Sequence, residues 1–538
     1  MRLHLVTVSL IITALTASAQ AETTLHALFT DHAVLQRDVT LPVFGYADDG
    51  QAISVELAGV TRTTTAADGR WRVEFPAMSA GGPHTLSVSG EATIILENIL
   101  IGDVWICTGQ SNMFSPLGRY AKNAPEIIGI HAQPAANDQI RLLSIATDDS
   151  DTPLHEPQLS RGFPGWLSLD AESGPMFSAN GYFFGIHLQP HVNVPIGLIQ
   201  SSVGGTPAEA WTPREALEKP ANKHILTERA AAVAAYPEAQ QQYEQELAAW
   251  LAKNMPPGTK ASEVPRNKRR GMPRAPSGGP EDHDRPSCLY NAMIAPLQDF
   301  PIKGAIWNQG ESNTSSYARC RHYEVLLSDM VAAWREGWGS EFPFYLVQLA
   351  PYRKISEEPT DPRWAWMRET MRLLPNTLPN SAMACIIDGG CQSDIHPPYK
   401  EIAGERLALL ARKHTYGQDI VAGGPQYQDI QISGDTATIT FTRTGSGLTT
   451  QTVVQDLGEV VVDAATLAGF TICGSDGVFH NATATITGTT TVTVTSAAVS
   501  QPVAVRYAWA EFPRCNLYNK EGLPASPFRT DDFPPPAD

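Results

Sequence analysis

Three things are scarce in this 538-residue chain, and each scarcity narrows what the chain does. Positive charge is the first: 39 lysines and arginines stand against 56 aspartates and glutamates, a net charge of −17. A surface that acidic repels phosphate backbones, which argues against nucleic acid as a partner. Cysteine is the second. Cys107, Cys288, Cys320, Cys385, Cys391, Cys473 and Cys515 form no paired C-x-x-C spacing, so no metal site is expected from them. Their odd number leaves at least one unpaired within the chain; in an oxidising compartment Cys385 and Cys391 are the nearest couple in sequence. Long apolar runs are the third: after residue 21, no segment approaches the ~18 consecutive apolar residues of a membrane span.

The first 21 residues are a case apart. Arg2 gives a short positive start, Leu5 to Leu15 an apolar run, and Ala19-Gln20-Ala21 a small-x-small cleavage signal. That order predicts a secretory signal peptide over 1–21, with a secreted or periplasmic mature chain starting at Glu22 and no membrane segment. The whole chain is 42% hydrophobic and 18% charged, which excludes wholesale disorder.

Residues 22–98 alternate with period two, as in Ala52 to Leu57 and Trp71 to Phe75, and predict a small β-sandwich. From 99 to 425 short apolar runs (104–107, 196–199, 304–307, 345–349, 384–387) alternate with helical stretches at 176–189, 316–336, 364–374 and 398–413. That rhythm predicts an α/β class with a doubly wound parallel sheet, whose reactive groups sit at the carboxyl ends of the strands. An insertion at about 214–286 reads as a helix over Thr227 to Lys253 followed by a Pro-, Gly- and charge-rich loop. Its basic run, Arg266 to Arg270, reads as a solvated loop, with contact to an acidic substrate as the alternative. Residues 426–538 are β-rich again, with a Thr-rich hairpin at 483–495 and an end at 533–538 expected to fray.

Four motifs follow the apolar runs. Gly109-Gln110-Ser111-Asn112-Met113 puts a serine on a turn at a strand end, placed for attack or merely for capping a helix. Ser201-Ser202-Val203-Gly204-Gly205-Thr206-Pro207 lets backbone N–H groups approach a ligand, or is an ordinary turn. Trp307-Asn308-Gln309-Gly310-Glu311-Ser312-Asn313 concentrates amides that can serve an oxyanion. Asp394-Ile395-His396-Pro397 supplies a base for a serine hydroxyl and a carboxylate to orient it, unless Asp394 caps the helix that follows.

In this order the blocks resemble those of the SGNH hydrolase superfamily, and more closely the sialate O-acetylesterase family. The likeness rests on GDVWICTGQSNM (102–113), QSSVGGTPAEAWTP (200–213), PSCLYNAMIAPL (286–297) with IKGAIWNQGESN (302–313), SDIHPPYKEIAGERLALLA (393–411) and VRYAWAEFPRCNLYNKEGLPASPFRTDDF (505–533). It implies a carbohydrate O-acetylesterase without cofactor or metal, acting on acetylated sialic acid or hemicellulose. An inactive carbohydrate-binding protein and a lipase or thioesterase of the same superfamily are the alternatives. By matching blocks, Ser111 is the nucleophile, His396 the base and Asp394 the orienter; the oxyanion donors are the N–H groups of Ser111 and Gly205 with the amide of Gln309 or Asn313. Two departures bear on this. The superfamily's D-x-x-H is here D-x-H, with Ser393 at the displaced position, which leaves open a dyad supported by a backbone carbonyl or by Asp388. The usual G-x-N-D block is Q-G-E-S-N, which leaves the choice between Gln309 and Asn313 open.

Overall fold

The computed structural model describes residues 22–123, 136–279 and 282–538; the leader expected over 1–21 lies outside them. The first strands form two antiparallel sets. Leu41–Tyr46 pairs with Arg70–Phe75, while Ala52–Leu57 pairs with both Val60–Thr65 and Gly81–Ser89. Alternation buries one side of each: Ile53, Val55 and Leu57 in one set, Trp71, Val73 and Phe75 in the other.

The strand Thr93–Gly109 carries this region into the rest of the molecule. Its first half pairs antiparallel with Gly81–Ser89, its second parallel with Ile196–Ser202 and Gly304–Asn308. Residues 93–98 alternate between exposed and half-buried, whereas 99–109 are all buried. The composition shift expected to mark a boundary at 98 is thus a change, within one strand, from one solvated face to two covered faces.

The core sheet runs, in space, Leu167–Leu169, Asn137–Ser144, Ile196–Ser202, Thr93–Gly109, Gly304–Asn308, Phe344–Val347, Ser381–Ala384. All neighbours are parallel except the antiparallel edge strand Leu167–Leu169. Ala179–Val192 and Lys400–His414 cover one face, where Phe183, Phe184 and Leu407 meet Trp105. Tyr317–Trp338 and Arg363–Thr377 cover the other, where Trp334 and Met371 share a core with Trp307. The four helices lie within three residues of their expected ends. The strand expected at 384–387 is displaced to Ser381–Ala384, and Arg406 takes the Cys385 carbonyl in a 2.6 Å hydrogen bond just beyond it. Asn137–Ser144 went unanticipated: its polar start, Asn-Asp-Gln, hides the buried run behind it.

The insertion holds the 32-residue helix Lys223–Asn254, of whose side chains Ile225 alone is buried. Residues 267–270 of the basic run are exposed. After residue 425 two four-stranded antiparallel sheets enclose a separate core that includes Ile439, Val492, Val505 and Phe528. The expected hairpin is one edge of it, Thr483–Ile486 against Thr491–Thr495. The end expected to fray is tethered: the Asp538 carboxylate accepts the N–H groups of Tyr317 and Ala318 at 2.5 and 3.3 Å, at the start of a core helix. All seven cysteines are free thiols, so Cys385 and Cys391 are not a disulfide. Among the described residues no helix is long and apolar enough to cross a membrane.

Candidate active site

Three neighbouring strands end level. Gly109 stands in register with Ser202 on one side and Asn308 on the other. Strands that follow in sequence lie on both sides of this one, and the carboxyl ends beside such a switch point are where open α/β sheets bind ligands. Gly109 has φ +129°, and a Cβ there would lie 2.3 Å from the Asn308 carbonyl oxygen. Only glycine makes that turn, and it sets Ser111, partly exposed, at the start of the short helix Ser111–Phe114. The turn is stitched to both neighbours: Gln110 N–H donates to Asn308 O (2.9 Å), and Gly109 O accepts from Val203 N–H (3.1 Å).

The expected base, His396, stands on the loop after the last core strand. Asp394 Oδ1 accepts the backbone N–H of His396 at 2.9 Å and lies 3.3 Å from its Nδ1. The shortened D-x-H spacing therefore does bring the carboxylate to the imidazole. Asp394 is not a helix cap; the next helix begins at Lys400 behind Tyr399. Asp388 is not a substitute orienter, because it is buried in a two-bond ion pair with Arg406 (both 2.6 Å) and accepts the Tyr518 hydroxyl at 2.8 Å. Burial, then the positive charges of Lys400 and Arg119, lower the His396 pKa below the ordinary imidazole value, against the pull of Asp394. That environment favours the neutral imidazole over the imidazolium.

Asn112 ties these loops together. Its Nδ2 donates to Glu311 Oε1 at 2.5 Å and to the carbonyl of Ile395, between Asp394 and His396, at 3.2 Å. Its Oδ1 accepts from the buried Nζ of Lys400. Sequence reading passed over Lys400. The available signal was a lysine in the first turn of a helix, where a cation opposes the helix dipole.

The oxyanion side differs from expectation. The N–H groups of Ser111 and Gly205 donate to no other described residue. Gly205 has φ +84°, and its carbonyl accepts the Ser312 hydroxyl at 2.8 Å, which ties down the Gly205–Thr206 peptide that follows. Gln309 and Asn313, by contrast, are spent on structure. Gln309 is fully buried, its Nε2 donating to Thr206 O (3.2 Å) and Asn313 Oδ1 (2.7 Å), its Oε1 accepting the Tyr323 hydroxyl (2.8 Å). Asn313, 1% exposed, donates to Glu209 Oε2 at 2.8 Å and accepts the Ala208 N–H at 3.0 Å. Both amides are thus bonded to or beside the residues that follow Gly205. Among the described residues no group of three or more His, Cys, Asp or Glu side chains could hold a metal ion.

A family model described as carbohydrate esterase, sialic acid-specific acetylesterase, matches residues 258–394, and one described as the sialate O-acetylesterase C-terminal domain matches 428–532. The chain is 29% identical over 541 positions to the sialate O-acetylesterase of Rattus norvegicus, covering 93% of this chain and 92% of that one. It is 28% identical to the Homo sapiens sialate O-acetylesterase, covering 90% and 88%. A solved carbohydrate acetylesterase from Xanthomonas citri superposes with a TM-score of 0.75 at 33% identity, over 95% of this chain and 100% of that one. The two family models take in the Gln309–Asn313 loop and Asp394 but neither Ser111 nor His396.

Proposed function

The chain belongs to the sialate O-acetylesterase family of carbohydrate esterases, and from that premise we propose that Ser111, His396 and Asp394 carry its reaction. It hydrolyses acetyl esters on sugars. Ser111 Oγ attacks the acetyl carbonyl carbon while His396 Nε2 takes the hydroxyl proton. Asp394 accepts from Nδ1–H, fixing the tautomer and stabilising the imidazolium. The Ser111 and Gly205 N–H groups take the oxyanion. The intermediate collapses as the sugar oxygen leaves with the proton from His396, giving acetyl-Ser111. Water, deprotonated by His396, then releases acetate and regenerates the serine.

The observation that carries this reading is the Asp394–His396 pair on a loop hydrogen-bonded through Asn112 to the turn that presents Ser111. Acetylated sialic acid and acetylated hemicelluloses such as xylan or xyloglucan both fall within the substrate class. The apolar leader supports export, to the periplasm or beyond.

Acetate release from a panel of acetylated glycans, beside aryl esters of rising chain length, tests it. Ser111→Ala and His396→Ala each abolish most turnover, and the double variant is little worse than either. Turnover that persists in Ser111→Ala, or octanoyl esters cleaved as fast as acetyl esters, would overturn it.

A further inference from the structure

Beneath the reacting groups lies a buried polar unit that the acyl transfer itself does not use. Lys400 is 3% exposed, yet its ammonium has a short hydrogen bond to Asn112 Oδ1 and lies 5.2 Å above the ring of Tyr120. The other end of the Asn112 amide meets Glu311 Oε1 and the Ile395 carbonyl. Glu311 is half-buried, and its enclosed Oε2 has no hydrogen-bond partner among the described residues. A lysine and a glutamate are thus joined across one asparagine side chain, and that asparagine is the residue after the nucleophile. A buried ammonium is costly to hold unless it is paired, and a chain satisfied with packing alone would put a neutral side chain here. The groups facing Lys400 come from three elements: Arg119 and Tyr120 from the helix Leu117–Asn123, Glu311 from the loop after Gly304–Asn308, and Asp394 and His396 from the base loop.

We infer that Lys400 is a positioning residue, acting through Asn112 to lock the nucleophile turn against the base loop. The inference rests on the reading of Ser111 and His396 given above. Two consequences follow from the geometry. Lys400 fixes the Asn112 amide so that its Nδ2 faces Glu311 and Ile395; without it the loop bearing His396 loses its link to the loop bearing Ser111. A cation near His396 also disfavours the imidazolium, so the base stays neutral to lower pH. Burial brings the Lys400 ammonium itself down to about 7, partly offset by Glu311 and Asp394, so the device is sensitive near neutrality.

The test compares Lys400→Met with Lys400→Arg in the full chain, using an acetyl ester and reading kcat, KM and the pH profile of kcat/KM. In Lys400→Met, kcat falls roughly 10²-fold with KM within about twofold, as expected for a sub-ångström to ångström misplacement of reacting groups. The acidic limb of the profile moves to higher pH, because the imidazolium is no longer opposed. Lys400→Arg, which keeps the charge, restores the limb. A folded Lys400→Met with the parent kcat and limb overturns the inference, as does a loss of kcat that leaves the limb in place. If Lys400→Met does not fold, Asn112→Ala decides: it leaves the ammonium but cuts its link, and a kcat that stays normal overturns the inference while a roughly 10²-fold loss supports it. Ser111→Ala separates this failure from failure of the wider reading: an inactive Ser111→Ala beside a fully active Lys400→Met removes only the role of Lys400.

Discussion

At the scale of single residues the site turns on one imidazole whose environment pushes two ways. Burial and the cations of Lys400 and Arg119 lower its affinity for a proton; Asp394, with its side chain 48% exposed, raises it only in part. The active form is neutral, so turnover is retained as pH falls until it passes through the lowered pKa. The acidic limb of kcat/KM therefore lies below the ordinary imidazole value of about 6.5. Asp394→Asn keeps the shape and removes the charge. Its limb moves lower still and its kcat falls by up to about 10⁴, through lost tautomer control and imidazolium stabilisation. A pH–rate profile of that variant reads both. A near-normal kcat would leave Ser111 and His396 in place and make the Asp394 contact a feature of the loop alone.

At the scale of elements, the third block shows where residue types mislead. Gln309 and Asn313 have the right chemistry for an oxyanion, and sequence carries no record of which way an amide faces. In the fold they bond to each other and hold up the 206–209 turn with Tyr323 and Glu209. Gln309→Ala strands the buried Thr206 carbonyl, at about 1–3 kcal/mol, while Asn313 Oδ1 keeps the Ala208 N–H and the Tyr323 hydroxyl keeps the backbone carbonyl of residue 309. Its denaturation midpoint falls while kcat of the folded fraction stays near the parent value; a kcat loss of roughly 10²–10³ at unchanged stability would return Gln309 to the oxyanion. Other elements were legible for a plain reason. The runs 104–107, 196–199 and 304–307 are buried on both faces and read as unbroken apolar stretches. Asn137–Ser144 is buried only in its second half and did not. Ser111 and His396 stand out in the sequence because they follow such strands or precede a clear helix. Lys400 was not, since its meaning depends on Asn112, which is 288 residues away in sequence.

At the scale of the molecule, the C-terminal β-rich region does more than follow the α/β core. Buried linkages join them, two of which bear on the core most directly. Arg368, fully buried on a core helix, donates to the carbonyls of Leu349 and Ala350 in the core and of Ala510 and Glu511 beyond it. Nearer the site, Asp456 grips the loop that leads to the base. Its Oδ1 accepts the Gln392 N–H at 3.0 Å and the Cys391 thiol at 2.9 Å, and its Oδ2 accepts the Gln392 amide at 2.7 Å. The adjacent Leu457 N–H donates to the Tyr399 hydroxyl at 3.0 Å, so the grip falls on both sides of Asp394 and His396. Burial pushes the Asp456 carboxyl up, but the bonds from Cys391 and Gln392 outweigh it and hold it below the usual carboxylate range. A carboxyl so depressed contributes its stabilisation above its unfolded pKa of about 3.9 and loses it as pH falls through the folded value. The base loop is therefore held throughout the neutral range and released in acid. Asp456→Ala removes the grip at every pH. Amide hydrogen exchange over residues 388–399 becomes faster in that variant at pH 7, and kcat falls about tenfold or more as the base loses its fixed position. In the parent the same segment quickens only below the carboxylate range. Exchange and kcat both unchanged in Asp456→Ala would mean that the core alone positions its base, and that the C-terminal sheets are joined to it without supporting its chemistry.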